Sequence, residues 1–272
     1  MFVTCYLYGG LGNQLFQLFA TIAYSINHGI PFKIIYTENL GKRPVYWGSF
    51  LSDISSYLSI DIELDTLYKI KQNGGNILEA PPKNIPVILD GYFQSPIFFE
   101  NLYSDISAIC GIDALRKEAQ MKLYKNENHT TISMHFRRGD YKELQHIHPI
   151  MPLEYYENAL AYTTAVLSKD TYEAIYFCEN EDAETIRTTE IVSLQRTFPN
   201  CVFRRFVAPT DWEEMLYMSC CDSHIIANSS FSWWGAYIDR REPVVCYPGI
   251  WFGGREPFPT TMFPASWTKV SW

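Results

Sequence analysis

From residue 130 onward the chain alternates short apolar runs with helical patterns. Strand signals fall at 130–136, 174–178, 202–206, 224–227 and 244–247, with helix-period segments between most of them. Strands joined through helices pair as parallel neighbours, and a parallel sheet needs helices over its faces. The repeated order therefore predicts an α/β fold with a doubly wound sheet. Helix signals support it. Leu153, Tyr156, Leu160 and Leu167 line one face of a helix entered through Pro152, a residue suited to a first turn. Thr210-Asp211-Trp212-Glu213 is a capping-box signature opening another.

The amino-terminal part begins in the same way. Phe2 to Tyr8 reads as a strand and Gly9-Gly10-Leu11-Gly12-Asn13-Gln14 as a turn. Leu15, Leu18, Phe19, Ile22 and Ile26 then share one face of a helix that Gly29 and Pro31 end, and residues 32–36 form the next strand. This is a βαβ unit. Ile85 to Leu89 is a further strand, running into Asp90-Gly91-Tyr92-Phe93-Gln94-Ser95, and a helical stretch follows around 97–124. Residues 40–85 show no clean period. The polar Asn126-Glu127-Asn128-His129 marks a boundary, so the expected domains are 1–128 and 129–272, two Rossmann-like halves facing across a cleft.

Composition narrows the class. With 19% charged and 47% hydrophobic residues the chain is a folded protein. A net charge of −8 leaves no basic excess for phosphate backbones, so nucleic acid is not an expected partner. Cys5, Cys110, Cys178, Cys201, Cys220, Cys221 and Cys246 contain no Cys-x-x-Cys pair and read as buried thiols in a reducing compartment. No membrane span and no basic leader segment are seen, and the expected location is the cytoplasm.

The residues that can carry chemistry sit at strand ends. Along 130–137, Ile132, Met134 and Phe136 point one way, and Thr131, Ser133, His135 and Arg137 the other. This places an imidazole and a guanidinium on one face where the strand meets Arg138-Gly139-Asp140-Tyr141. Guanidinium forks bind phosphate oxygens bidentately, so a nucleotide pyrophosphate is the first candidate ligand. The same arginines also read as solvated surface charges. Gly9-Gly10-Leu11-Gly12-Asn13 lacks Gly-x-Gly-x-x-Gly spacing, which argues against a nicotinamide site; by itself it is equally a tight turn. Asn228-Ser229-Ser230-Phe231-Ser232-Trp233-Trp234-Gly235 follows a short buried strand and opens a helix. Its serines and free N–H groups suit an anion, and one serine serves as the cap.

Three such segments on one chain resemble a known family. Gly-Gly-Leu-Gly-Asn-Gln-Leu-Phe-Gln, His-Phe-Arg-Arg-Gly-Asp-Tyr and Asn-Ser-Ser-Phe-Ser-Trp-Trp-Gly-Ala, in that order from residue 9 to 236, are similar to the α-1,2-fucosyltransferases of glycosyltransferase family 11. Asp90 to Ser95 also resembles a family segment. The resemblance implies a GT-B fold with 1–128 as the acceptor-side domain and 129–272 as the GDP-fucose-binding domain, GDP-fucose as donor substrate, a galactose-terminated glycan as acceptor, inversion at the sugar carbon, and no metal or other cofactor. Consistently, no Asp-x-Asp metal–nucleotide motif stands in a convincing loop; His146, His148 and Glu143 only imitate a metal site.

By the same resemblance Arg137 is the principal donor to the leaving diphosphate and His135 reaches the nucleotide. Asn13 approaches from the other domain, and Ser229, Ser230 and Phe231 border the pyrophosphate. Glu214 matches an acidic position that pairs with the guanine base. Arg138 is counted with the donor-binding residues but points away from Arg137, and otherwise is structural or clamps Asp140. Asp140 is the nearest carboxylate in the motif and the candidate base, though an Asp after Gly is also a common turn former. Acceptor contacts are expected from 142–151 and 40–85. Fucosyl transfer to another position or to a protein hydroxyl, and nucleotide-sugar or glycan binding without turnover, remain as alternatives.

Overall fold

The computed structural model describes residues 1–41, 43–74, 78–122, 129–254 and 260–272. Two compact units emerge: Met1–Leu115 with Pro259–Pro264, and Arg116–Phe258 with Ala265–Trp272. The boundary expected at 128 falls on residues 123–128, outside the described residues.

The first unit contains β1 (Val3–Cys5), α1 (Leu11–His28), β2 (Ile34–Ile35), β3 (Leu58–Ser59), β4 (Tyr68–Lys71), β5 (Val87–Asp90) and α2 (Tyr103–Ile109), and α3 (Ile112–Lys122) crosses into the second. The strands pair in parallel as β1-β5-β4 and β2-β3. A parallel bridge from Val3 to Phe32 attaches β2 to the free edge of β1, with Lys33 N–H donating to the Val3 carbonyl at 2.9 Å. α1 forms as expected, with Leu15, Leu18, Phe19 and Ile22 fully buried, but Ile26, read on the same face, is exposed in its last turn. Three expectations change. The strand read over 2–8 forms only at Val3–Cys5, that read over 32–36 only at Ile34–Ile35, and the helical stretch read over 97–124 breaks into short 3-10 turns, α2 and α3, interrupted at Cys110–Gly111. Strands β3 and β4 lie in the segment that showed no period. β3 has two residues, and β4 buries only Ile70, which is too little to print an alternation.

The second unit holds β6 (Thr130–Phe136), α4 (Leu153–Leu167), β7 (Tyr172–Cys178), α5 (Ala183–Ile186), α6 (Val192–Thr197), β8 (Cys201–Arg205), α7 (Asp211–Ser219), β9 (Ser223–Ile225), α8 (Ser230–Tyr237), β10 (Val244–Pro248) and β11 (Thr268–Val270). A π-helical turn, Arg187–Ile191, joins α5 to α6. All six strands are parallel, in the order β8-β7-β6-β9-β10-β11. Every predicted strand of this half is present, to within two residues at either end.

The alternation read in β6 holds. Ile132, Met134 and Phe136 enter a core with Tyr155, Tyr156, Leu160, Tyr176, Ile225 and Cys246. Each such side chain stabilises the fold by about 1.5–3 kcal/mol when fully buried, which anchors β6 and the polar residues at its end. On the opposite face Ser133 Oγ lies 2.8 Å from His224 Nδ1, and His224 Nε2 lies 3.3 Å from Asp239. Arg116 and Arg241 also donate to Asp239, at 3.0 and 2.7 Å. This trio resembles a hydrolytic triad only in composition. All three side chains are sealed from solvent, so it cross-braces β6, β9 and the end of α8. The seven cysteines are all buried and none is in a disulfide, and burial pushes the Cys5 thiol up to about 12.

Candidate active site

In the second unit the chain runs outward from β6 through β7 to β8, then returns to the other side of β6 to lay down β9 and β10. The reversal sets the carboxyl ends of β6 and β9 side by side, with Ser133 level with His224 and Met134 with Ile225. Loops leaving such a switch point have no strand between them and leave a crevice, where ligands bind in open α/β sheets. Both motifs of this half leave from it. They touch directly: the Tyr141 hydroxyl donates to the Asn228 carbonyl at 3.1 Å, and the His135 and Phe231 rings are 5.6 Å apart. Asn228 in turn donates to the Pro149 and Trp251 carbonyls at 2.9 and 3.1 Å.

Arg137 is the best-braced side chain of the site. Its Nη1 donates to Glu179, its Nη2 donates to Asp140, and its guanidinium lies 4.9 Å from the centre of the Tyr141 ring. Two of the five guanidinium N–H groups are thus spent on carboxylates, which leaves three for a ligand. Arg138 turns away, as its place in the pleat requires, and pairs with Glu190. It does not clamp Asp140, which belongs to Arg137.

Glu179 was not anticipated. The register of β6 on β7 pairs Phe136 with Cys178, so the next residues, Arg137 and Glu179, emerge level with each other. The second Glu179 oxygen faces the Arg138 backbone N–H at 3.4 Å. Gly139 follows with φ +33°, and a Cβ there would sit 2.9 Å from the Glu179 carboxylate oxygen. The positive φ favours glycine, and any larger residue would press on the carboxylate that braces Arg137. Asp182, almost fully buried, accepts from Gly139 N–H at 3.0 Å and pairs with Lys142. Only strand register could have revealed either acid, because nothing in the local sequence separates them from surface carboxylates.

His135 is buried, and its Nδ1 finds no partner among the described residues. Burial, with Arg137 next to it, lowers its pKa to about 3, so the ring is neutral and offers a lone pair and one N–H. Ser229 caps α8, its hydroxyl accepting from Phe231 N–H at 3.3 Å. Ser230 and Phe231 are partly exposed in the first turn, whereas Ser232 points inward to the Ala227 and Ser229 carbonyls. Glu214, in α7, is partly buried and accepts from Ala208 N–H at 3.3 Å; burial raises its pKa. Asn13 lies in the first unit, in the first turn of α1, where its Oδ1 accepts from Gln94 at 2.8 Å.

His148 stacks on Tyr141, with centroids 4.7 Å apart and planes at 15°. Among the described residues no three His, Cys, Asp or Glu side chains are grouped so as to hold a metal ion, and no helix is long and apolar enough to cross a membrane.

Comparison with known proteins decides the family. Residues 77–253, well over half of the chain, match the model described as Glycosyl transferase family 11. The chain belongs to this family. Two relatives of this family 11 chain come from Escherichia coli. The O-antigen biosynthesis glycosyltransferase WbnK is 30% identical over 195 residues, 67% of this chain and 60% of the relative. An alpha-1,2-colitosyltransferase is 29% identical over 150 residues, 52% of this chain and 47% of the relative. The family 11 chain thus spans about half to three-fifths of their lengths. An Arabidopsis thaliana FUT1 mutant solved in complex with GDP superposes with a TM-score of 0.51 at 11% identity, covering 97% of this chain and 74% of that one. At that identity the likeness is one of fold. The family 11 chain has the α/β, GT-B type of architecture, with two Rossmann-like units.

Proposed function

We propose that this family 11 protein is a glycosyltransferase that moves L-fucose from GDP-β-L-fucose to the 2-hydroxyl of a terminal galactose, with inversion and without a metal. The observation that carries the reading is the Arg137 guanidinium, braced by Glu179 and Asp140 at the β6 end of a switch point whose other rim is the capped start of α8. Fixed cationic and N–H donors there can receive the charge that builds on a leaving diphosphate.

In the proposed step the acceptor O2–C1 bond forms as the C1–O bond to GDP breaks. Arg137, the Ser230 N–H and the Ser229 and Ser230 hydroxyls stabilise the departing phosphate oxygen. Asp140, the more exposed of the two carboxylates on Arg137, takes the proton of the attacking hydroxyl. His135 offers its unpartnered ring nitrogen to the nucleotide, and Glu214 the base contact. Arg138 contributes by holding the turn through Glu190. Asn13 is assigned to the donor by resemblance alone.

A second donor is favoured by one finding, the relationship to a protein named as a colitosyltransferase. The test is incubation with GDP-fucose and lactose, and with the colitosyl nucleotide in parallel, in the presence of EDTA. Release of GDP and a trisaccharide whose linkage NMR assigns as α-1,2 supports the proposal. A product formed only from the colitosyl donor replaces fucose. A strict need for added Mg²⁺ or Mn²⁺ overturns metal independence.

A further inference from the structure

The first unit has a switch point of its own. From β1 the chain passes to β2 and β3 on one side and to β5 and β4 on the other, so the loops after β1 and β5 flank a crevice. β1 and β5 are in register, with Cys5 level with Leu89. Tyr8 stands three residues beyond Cys5, and Tyr92 three beyond Leu89. The two rings meet with centroids 4.5 Å apart and planes at 62°. Tyr8 is partly buried, while Tyr92 is 42% exposed.

Amides build the rest of this corner. Gln17, fully buried, accepts from Tyr8 N–H at 3.0 Å and donates to the Gly91 carbonyl at 3.4 Å, stitching the two loops together. Gln14, also fully buried, donates to the Gly9 and Pro44 carbonyls, both at 3.1 Å. Gln94 donates to Asn13 at 2.8 Å, and Gly9 lies so close over Asn13 that a Cβ would meet Nδ2 at 2.5 Å. Burying an amide is costly unless it is bonded; Gln17 spends both ends, and Gln14 its amide N–H groups, on holding the loops in place. That makes a preorganised surface.

No cation is among the groups acting on the Tyr8 hydroxyl, so a phosphate finds no counter-charge there. Burial, with Tyr92, Asp90 and Cys5, raises its pKa against the opposing hydrogen bond of Gln17, and it stays protonated. Two angled aromatic faces edged by neutral amides suit an uncharged ring with an apolar face and several hydroxyls.

We infer that the Tyr8–Tyr92 corner, with Gln94, binds a neutral pyranose ring, the terminal galactose of the acceptor. Calling the ring the acceptor rests on the proposed transfer; the binding of a neutral sugar does not. The test is saturation-transfer NMR on the full chain with methyl β-D-galactopyranoside and GDP present, for wild type, Tyr92→Ala, Tyr92→Phe and Arg137→Ala. Expected is binding by wild type, retained in Tyr92→Phe and Arg137→Ala, and weakened about fivefold to tenfold in Tyr92→Ala, the scale of one lost aromatic contact. Unchanged binding in Tyr92→Ala overturns the assignment, as does absence of binding by wild type or an equal loss in Arg137→Ala. Sugar binding without any turnover of nucleotide sugar refutes the transfer reading and leaves the corner standing.

Discussion

Replacing Arg137 by alanine should stop transfer while sparing the fold, and both halves of that statement follow from its surroundings. The side chain is 19% exposed and holds Glu179 and Asp140, which are themselves partly open to water. Partly solvated ion pairs of this kind are worth about 1 kcal/mol or less, small against the ~5–15 kcal/mol that stabilises a domain. Three N–H groups are left over, and in the proposed step they serve the departing phosphate. Losing one donor to a developing oxyanion costs about 2.7–4 kcal/mol, or ~10²–10³-fold in rate, and a charged fork should reach the top of that range. Arg137→Lys should recover little. An ammonium donates from a single atom and cannot span two carboxylates and a phosphate at once. Initial rates of GDP release, read beside circular-dichroism melting curves, separate chemistry from folding. If a folded alanine variant retains more than about a tenth of wild-type activity, a change under ~1.4 kcal/mol, Arg137 is not the principal donor.

Asp140→Asn should cut turnover by about 10²–10⁴-fold while GDP affinity, measured by calorimetry, changes by only a few fold, because Glu179 still holds Arg137; affinity falling in step with rate would make Asp140 an anchor and not the base. Gly139→Ala places a methyl group against the Glu179 carboxylate at a positive φ, and should cost about 1 kcal/mol of stability plus a larger loss of activity. Unchanged kinetics in that variant would show that the Arg137–Glu179 brace is not needed. The buried His135 has a folded pKa lowered to about 3, below its unfolded value, so its contribution to stability is complete above pH ~6.5 and is lost as the pH falls toward 3. Urea midpoints taken at pH 7 and pH 4.5 should therefore drop further for wild type than for His135→Asn, and equal drops would refute the burial argument.

The strand–helix alternation of the second half, the inward face of β6, the cap at Thr210 and a serine cap at the Ser229–Ser230 turn were all legible in the sequence. Each depends on residues within a turn or two of one another, and the periods of strand and helix print such local rules directly on the chain. The placing of Arg137 and of the serine turn at strand ends was legible for the same reason. Their adjacency was not, because it needs β9 to settle beside β6, against chain order. Strand order and register come from the burial of whole faces, summed over residues far apart in sequence. Those two quantities alone set Glu179 beside Arg137, send Arg138 to Glu190 and bring Tyr8 onto Tyr92. An acid or a tyrosine in a loop carries no local mark of the strand it will face, so only the folded sheet could choose its partner.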